Sequence, residues 1–103
     1  MNRIVYRYPI RVSSHPQEVE VPRPARVVHV DLAKDPSDLY SLNVWIEHPV
    51  SGPNVPRAKI HIYVHGTGHI IEDPQAEHAG SFVNRGTRTP LVWHVYTRME
   101  WLA

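Results

Sequence analysis

The chain has 103 residues, of which 42% are hydrophobic, with three tryptophans among them. That length suits one ordinary domain, and the apolar content is enough to fill a core. The 11 basic and 10 acidic residues nearly cancel, which removes the main electrostatic argument for binding duplex nucleic acid or an anionic membrane. The absence of cysteine excludes disulfides, thiolate metal sites and cysteine nucleophiles. We expect a single all-β domain over residues 1–103, with flexible ends at 1–2 and 99–103.

The amino terminus has no apolar signal core, because MNRIVYRYPIRV carries charges at positions 3, 7 and 11. No apolar run elsewhere approaches the ~20 residues needed to cross a bilayer. These features predict an intracellular protein with no membrane partner.

Seven short segments alternate apolar and polar residues, and this period of two is typical of half-buried strands. The predicted strands are Arg3–Pro9, Gln17–Val21, Ala25–Leu32, Tyr40–His48, Arg57–His65, Ser81–Asn84 and Leu91–Arg98. Prolines and glycines separate them and leave little room for helix. The pattern predicts an all-β fold, either a compact antiparallel sandwich or a small barrel.

The alternation also predicts which side chains face the core. The core positions include Val28 and Val30 of the third predicted strand, Ile60 and Ile62 of the fifth, and Trp93 of the seventh. We expect the fourth and fifth strands to form a hairpin whose tip is the proline-rich PVSGPNVP at 49–56.

Two sequences in which an N-cap residue precedes proline predict short helical pieces. Asp35-Pro36 predicts one connecting turn at 35–38. Asp73-Pro74 predicts a short helix at 73–79, which Gly80 would end.

The segment HIYVHGTGHII contains three histidines spaced four residues apart, which raises the question of a metal site. On a strand that rises about 3.3 Å per residue, His61 and His65 would lie ~13 Å apart, too far to share a zinc ion with bonds near 2.1 Å. His65 and His69 could meet if Gly-Thr-Gly folds back, with His29 or His94 as a third ligand. We expect no metal and no cofactor, because isolated strand histidines are commoner than ligand sets.

The GTGH motif itself favours a structural corner. Gly66 and Gly68 would supply positive φ angles, and Thr67 and His69 would tie the turn by hydrogen bonds. A binding pocket for a small ligand, nucleotide or metal, with hydrolysis as an extension, is the alternative, and an arginine would neutralise a bound anion. The candidate binding residues are Tyr63, His65, Thr67, His69, Arg85, Arg88 and His94. No established catalytic signature accompanies them, so we expect no enzyme.

A second alternative is single-stranded nucleic acid, which binds basic and aromatic strand faces. Arg57, Lys59, His61 and Tyr63 would share such a face on the fifth predicted strand. The same residue types also form ordinary solvated faces, and the net charge is only +1. Nucleic acid is therefore the subordinate partner.

The order of QEVEVP, ARVVHV, GTGHII, AGSF and LVWHVY resembles a family of short uncharacterised proteins found in bacteriophages, notably those of actinobacteria, and in related bacterial genomes. The resemblance covers residues 3–97, and the segment at 33–41 and PVSGPNVP depart from the family pattern. It implies a phage-encoded accessory protein in the host cytoplasm and supplies no reaction. Together with the residue pattern, it leads us to expect non-catalytic binding to a host or phage protein, to another copy of the chain as a homo-oligomer, or to both.

Overall fold

The computed structural model describes residues 2–13, 15–33, 40–85 and 90–102. Within these ranges the chain is all-β and contains no helix, which confirms the predicted fold class. The strands are β1 (Arg3–Arg11), β2 (Gln17–Pro22), β3 (Arg26–Leu32), β4 (Ser41–Pro49), β5 (Arg57–Gly66), β6 (Glu77–Asn84) and β7 (Leu91–Trp101). The turn predicted at 35–38 lies outside the described residues.

The strands form two antiparallel sheets that pack as a sandwich. One sheet has three strands in the order β1-β4-β3, and the other has four in the order β2-β5-β7-β6. The core lies between them and is built from alternate residues of the inner strands. Leu42, Val44 and Ile46 of β4 and Ile60 and Ile62 of β5 are almost completely buried, and half-buried Trp93 packs against their cluster. The predicted burial of Ile60 and Ile62 and the predicted core contact of Trp93 are confirmed.

The predicted hairpin of the fourth and fifth strands is wrong. β4 pairs with β1 and β3, whereas β5 pairs with β2 and β7, so the two strands belong to different sheets. The segment 50–56 instead carries the chain from one sheet to the other. Its prolines, Pro53 and Pro56, lack backbone donors, and Asn54 has a positive φ of 64°. These features suit a crossing loop better than a tight turn between paired strands.

A β-bulge reverses one predicted face of β3. The register with β4 shifts between Val27 and His29, which places an extra residue on the β3 side. As a result Val27 packs against the core, whereas Val28 is 41% exposed. The prediction of Val28 as a core residue is wrong, and that of Val30, which is buried, is confirmed.

The predicted helix at 73–79 is wrong, although its start does form a turn. The Gln75 N–H donates to Asp73 Oδ1 at 2.9 Å, and the Ala76 N–H donates to the Asp73 carbonyl at 3.2 Å. The chain then enters β6 at Glu77, because pairing with β7 provides the backbone partners that a helix would have supplied.

Gly80 lies inside β6, beside a second bulge between His78 and Gly80, rather than at a helix end. A Cβ atom at this position would overlap the side chain of Val30 on β3. The glycine therefore allows the two sheets to approach each other where β3 lies against β6.

β7 is longer than predicted and continues to Trp101, which pairs with Ala58 of β5. The Arg23 guanidinium lies 4.4 Å from the centroid of the Trp101 ring and donates to the Leu102 carbonyl at 3.0 Å. In the part of the chain that the structure describes, no helix is long and apolar enough to span a membrane.

Candidate functional site

The GTGH motif forms the corner at the end of β5. The Gly66 N–H donates to His69 Nδ1 at 3.0 Å, and the Gly66 carbonyl accepts a bond from the His69 N–H at 3.1 Å. A Cβ at Gly66 would lie only 3.1 Å from the His69 ring. Gly68 has a φ of +90°, a value that favours glycine. The expectation of positive φ is therefore correct for Gly68 and wrong for Gly66, which is required instead for the close approach of the imidazole.

Thr67 connects this corner to β7 and β6 through a chain of hydrogen-bonded side chains. Thr67 Oγ1 lies 3.0 Å from His94 Nε2, and His94 Nδ1 lies 2.8 Å from Ser81 Oγ. Ser81 Oγ lies 2.8 Å from His78 Nε2. Ser81 and His94 are cross-strand partners, so the register of β6 and β7 brings them together. These hydrogen bonds hold the His94 ring by both of its nitrogens.

Four predicted binding residues meet beside these hydrogen-bonded side chains. His65, Thr67, His69 and His94 line one shallow cleft of about 210 Å³, and Tyr96 lines it as well. Within the described ranges, however, no group of three or more His, Asp or Glu side chains is placed to hold a metal ion. Hydrogen bonds already engage both ring nitrogens of His94 and Nδ1 of His69, so these atoms are not free to coordinate a metal.

The predicted arginines do not join this cleft. Arg85 is exposed just after the end of β6 and lines neither the cleft nor the larger cavity beside it. Arg88 lies outside the described residues. The cleft therefore has no arginine or lysine from the described part of the chain to neutralise an anion.

A larger cavity of about 700 Å³, called here the end cavity, opens at the same end of the sandwich. Its volume falls within the range of about 300–1,000 Å³ that is common for ligand sites. Its lining residues are Val12, Ser13, His15, Pro16, Tyr40, Tyr63, Val64, His65, His69, Ile70, Glu72, Asp73 and Trp93. Three predicted binding residues, Tyr63, His65 and His69, are among them.

The end cavity follows an edge of β5 along which no described strand pairs beyond Ile62. Tyr63, Val64 and His65 are consecutive and all line it, although successive strand residues point to opposite faces. The cavity must therefore wrap around the edge of the strand. This edge is open because β2 pairs with β5 only as far as Gln17 opposite Ile62.

The walls of the end cavity are largely apolar and continue onto an exposed apolar rim. Val12, Val64 and Trp93 come from three distant parts of the chain and line the interior. At the rim, Ile70 is 80% exposed and Tyr40 is 54% exposed. Large apolar side chains left in water beside an apolar concavity are typical of surfaces that a partner covers.

Asp73 fastens the segment 69–73, which forms one side of the end cavity. Its Oδ2 accepts hydrogen bonds from the Tyr63 hydroxyl at 2.6 Å and from Arg98 Nε at 2.7 Å. The bonds from Tyr63, from the Gln75 N–H and from Arg98 lower the pKa of Asp73 to about 2. The same carboxylate raises the pKa of the Tyr63 hydroxyl. Asp73 therefore stays ionised at ordinary pH and holds the segment against β5 and β7.

Carboxylates of β2 neutralise much of the positive charge on the basic face predicted for β5. Arg57 Nε lies 3.0 Å from a Glu20 carboxylate oxygen, and Lys59 Nζ lies 3.4 Å from one of Glu18. Tyr63, at the other end of this face, is bonded to Asp73. A polyanion would have to displace these carboxylates from the neighbouring strand.

The sequence did not single out most residues of the end cavity. Val12, Tyr40, Glu72 and Trp93 come together only because the two sheets meet at this end. Nothing in the local sequence marks Ile70 as exposed, because isoleucine is among the residues most often buried. Ser81 and His78 could be placed beside His94 only once the register of β6 and β7 was known.

Comparison with protein families matches residues 1–101 to DUF7352, a domain of unknown function. No curated protein and no solved structure matches the chain.

Proposed function

We propose that this chain, which belongs to the DUF7352 family of domains of unknown function, is a non-catalytic protein-binding domain that accepts part of its partner in the end cavity. The setting implied by the sequence resemblance is a phage-encoded accessory protein in the host cytoplasm, whose partner is a host or phage protein. The observation that supports binding is the apolar end cavity with Ile70 exposed at its rim.

The exposed rim favours a protein partner over a small ligand. A small molecule inside the end cavity would leave most of Ile70 in water, since that side chain is 80% exposed. A partner protein could fill the cavity and cover the rim together. Burying an exposed isoleucine contributes about 1.5–3 kcal/mol, which is enough to make Ile70 a dominant contact.

The hydrogen bonds that join Thr67, His94, Ser81 and His78 are better explained as structural support than as a catalytic site. Ser81 and His94 have the spacing of a nucleophile and its base, but the far nitrogen of His94 faces the Thr67 hydroxyl rather than a carboxylate. Ser81 lines neither the cleft at the corner nor the end cavity. These hydrogen bonds therefore most simply hold the GTGH corner to the sheet.

A pair of matched variants tests the proposal. Ile70→Asp places a charge at the rim, and Val50→Asp makes the same kind of change at a residue that is 51% exposed and does not line the end cavity. Proteins captured from host and infected-cell lysates on the wild type would be identified, purified and titrated calorimetrically against each variant. We expect Ile70→Asp to weaken binding at least about tenfold and Val50→Asp to leave it unchanged.

Equal binding of the purified partner to wild type and Ile70→Asp would contradict the proposal, and so would the lack of any partner. Light scattering with size exclusion addresses self-association. A mass that rises with concentration for the wild type, and stays at the monomer value for Ile70→Asp, would make the partner a second copy of the chain.

A small ligand in the end cavity is a second candidate, supported by the volume of the cavity and by Trp93 Nε1. That N–H is buried and has no hydrogen-bond partner among the described residues, so it could donate to an acceptor atom of a bound ligand. A thermal-shift screen of nucleotides, metabolites and divalent metals tests this candidate. A ligand at 100 times its Kd should add about 2.7 kcal/mol to the free energy of unfolding, and no stabilisation by any compound would exclude this candidate.

A further inference from the structure

The aromatic and acidic residues of the end cavity share a preference for cations. Tyr40, Tyr63 and Trp93 line it, as do Glu72 and Asp73, whereas no lysine or arginine from the described residues does. Aromatic rings attract ammonium and guanidinium groups by about 0.5–2 kcal/mol, depending on desolvation. Carboxylates form charge-assisted hydrogen bonds with the same groups. An anion would meet two carboxylates here and no fixed positive charge.

The two carboxylates differ in availability. Asp73 is already bonded to Tyr63 and Arg98, so its charge is compensated within the chain. Glu72 is exposed, and the structure gives its carboxylate no hydrogen bond or ion pair with any described residue. Glu72 is therefore the acid that can pair with an incoming cation.

The apolar lining adds a requirement for a long side chain. Val12 and Val64 are in the same cavity as the acid, so an occupant needs an apolar stem as well as a charged head. Lysine and arginine have this construction, with methylene groups that pack on apolar surface while the head reaches a polar partner. A wholly apolar side chain would fill the cavity but would leave Glu72 unpaired under the covering partner, which disfavours it.

We infer that the end cavity recognises a basic side chain of the partner, lysine or arginine, with its stem against Val64 and Trp93 and its charged head paired with Glu72. This inference rests on the proposed function, because it requires a protein segment to enter the end cavity. It adds the chemistry of the recognised residue, which the proposed function leaves open.

The experiment selects peptides from a random displayed library on the wild-type chain and discards those that also bind Ile70→Ser, a variant that removes the apolar rim contact without adding a charge. We expect the retained peptides to share a lysine or arginine next to an apolar residue. In the strongest binder, that lysine is then replaced by norleucine, or the arginine by citrulline, which removes the charge and keeps the length. We expect this replacement to weaken binding about tenfold, as a cation held by aromatic rings and a carboxylate should.

Glu72→Gln should weaken the binding of the basic peptide by a similar factor and should leave the binding of the neutral peptide unchanged. Glu77→Gln is the matched control, because Glu77 is also exposed and lies on β6 outside the end cavity. Arginine amide, added alone in excess, should displace the peptide, whereas acetamide should not.

The outcomes separate the inference from the proposed function. Peptides that need Ile70 but keep their affinity after the charge is removed would overturn the basic-residue inference and leave the protein-binding proposal standing. The same conclusion follows if Glu72→Gln and Glu77→Gln behave alike. A selection that yields no peptide dependent on Ile70 would overturn both.

Discussion

Replacing Gly80 with alanine should force apart the two sheets where β3 lies against β6. The added Cβ would overlap a methyl group of Val30, which is buried at 6% exposure and, being β-branched, has little rotamer freedom to move away. Overpacking of this kind costs about 1–3 kcal/mol of unfolding free energy. Val30→Ala alone removes two buried methyl groups and should cost about 1.5–3 kcal/mol.

The double variant distinguishes this steric explanation from a general weakening of β6. In Gly80→Ala/Val30→Ala the new methyl group enters space that the valine has vacated, so the combined loss should be smaller than the sum by about 1–2 kcal/mol. Urea unfolding followed by tryptophan fluorescence measures all four proteins. Gly52→Ala is the control, since a Cβ there would meet Val55 at an ordinary 3.7 Å. Strict additivity, or a Gly80→Ala variant as stable as Gly52→Ala, would refute the reasoning.

Three further predictions concern the corner and the wall beside it. Asp73→Asn should lower the melting temperature at neutral pH. The pKa of Asp73 is depressed from 3.8 to about 2 in the folded state. The difference in melting temperature between wild type and variant should therefore be full above pH 3.8 and should disappear as the pH falls through about 2. A difference at pH 2 as large as that at neutral pH would contradict this role. Gly68→Ala should cost about 1 kcal/mol in urea unfolding because of its φ of +90°, and an unchanged midpoint would argue against the corner geometry. Thr67→Val should remove the bond to His94 Nε2 and shift the His94 ring signals in NMR spectra, whereas unshifted signals would exclude that bond.

Alternation predicted the buried faces of the inner strands because these strands keep strict register. Ile60 and Ile62, for example, stay on one face along the whole pairing of β5 with β2. Alternation failed at the bulge beside Val28, where one inserted residue shifts the phase and leaves no mark in the local sequence. It also paired the fourth and fifth strands, since sequence neighbours usually pair and nothing local shows a crossing between sheets.

The candidate site was likewise predictable only in part. The GTGH corner could be anticipated because a glycine-rich turn and its hydrogen bonds lie within four residues. Asp73 was interpreted as a helix cap, and it does bond the Gln75 N–H, but its second oxygen bonds Tyr63 and Arg98 across the sheet. The end cavity could not be predicted, because Val12 and Trp93 meet there only through the packing of two sheets.

The most direct test of binding at the end cavity is an NMR titration of the isotope-labelled chain with its purified partner. The three tryptophan indole N–H signals report on separate places: Trp93 lines the end cavity, Trp45 lies on β4 beside His29, and Trp101 lies near Arg23. We expect the Trp93 indole and the amides of Val64 and nearby cavity residues to shift on binding, while the Trp45 and Trp101 indoles stay in place. Shifts at Trp45 or Trp101 with an unchanged Trp93 would place the partner elsewhere and contradict the account.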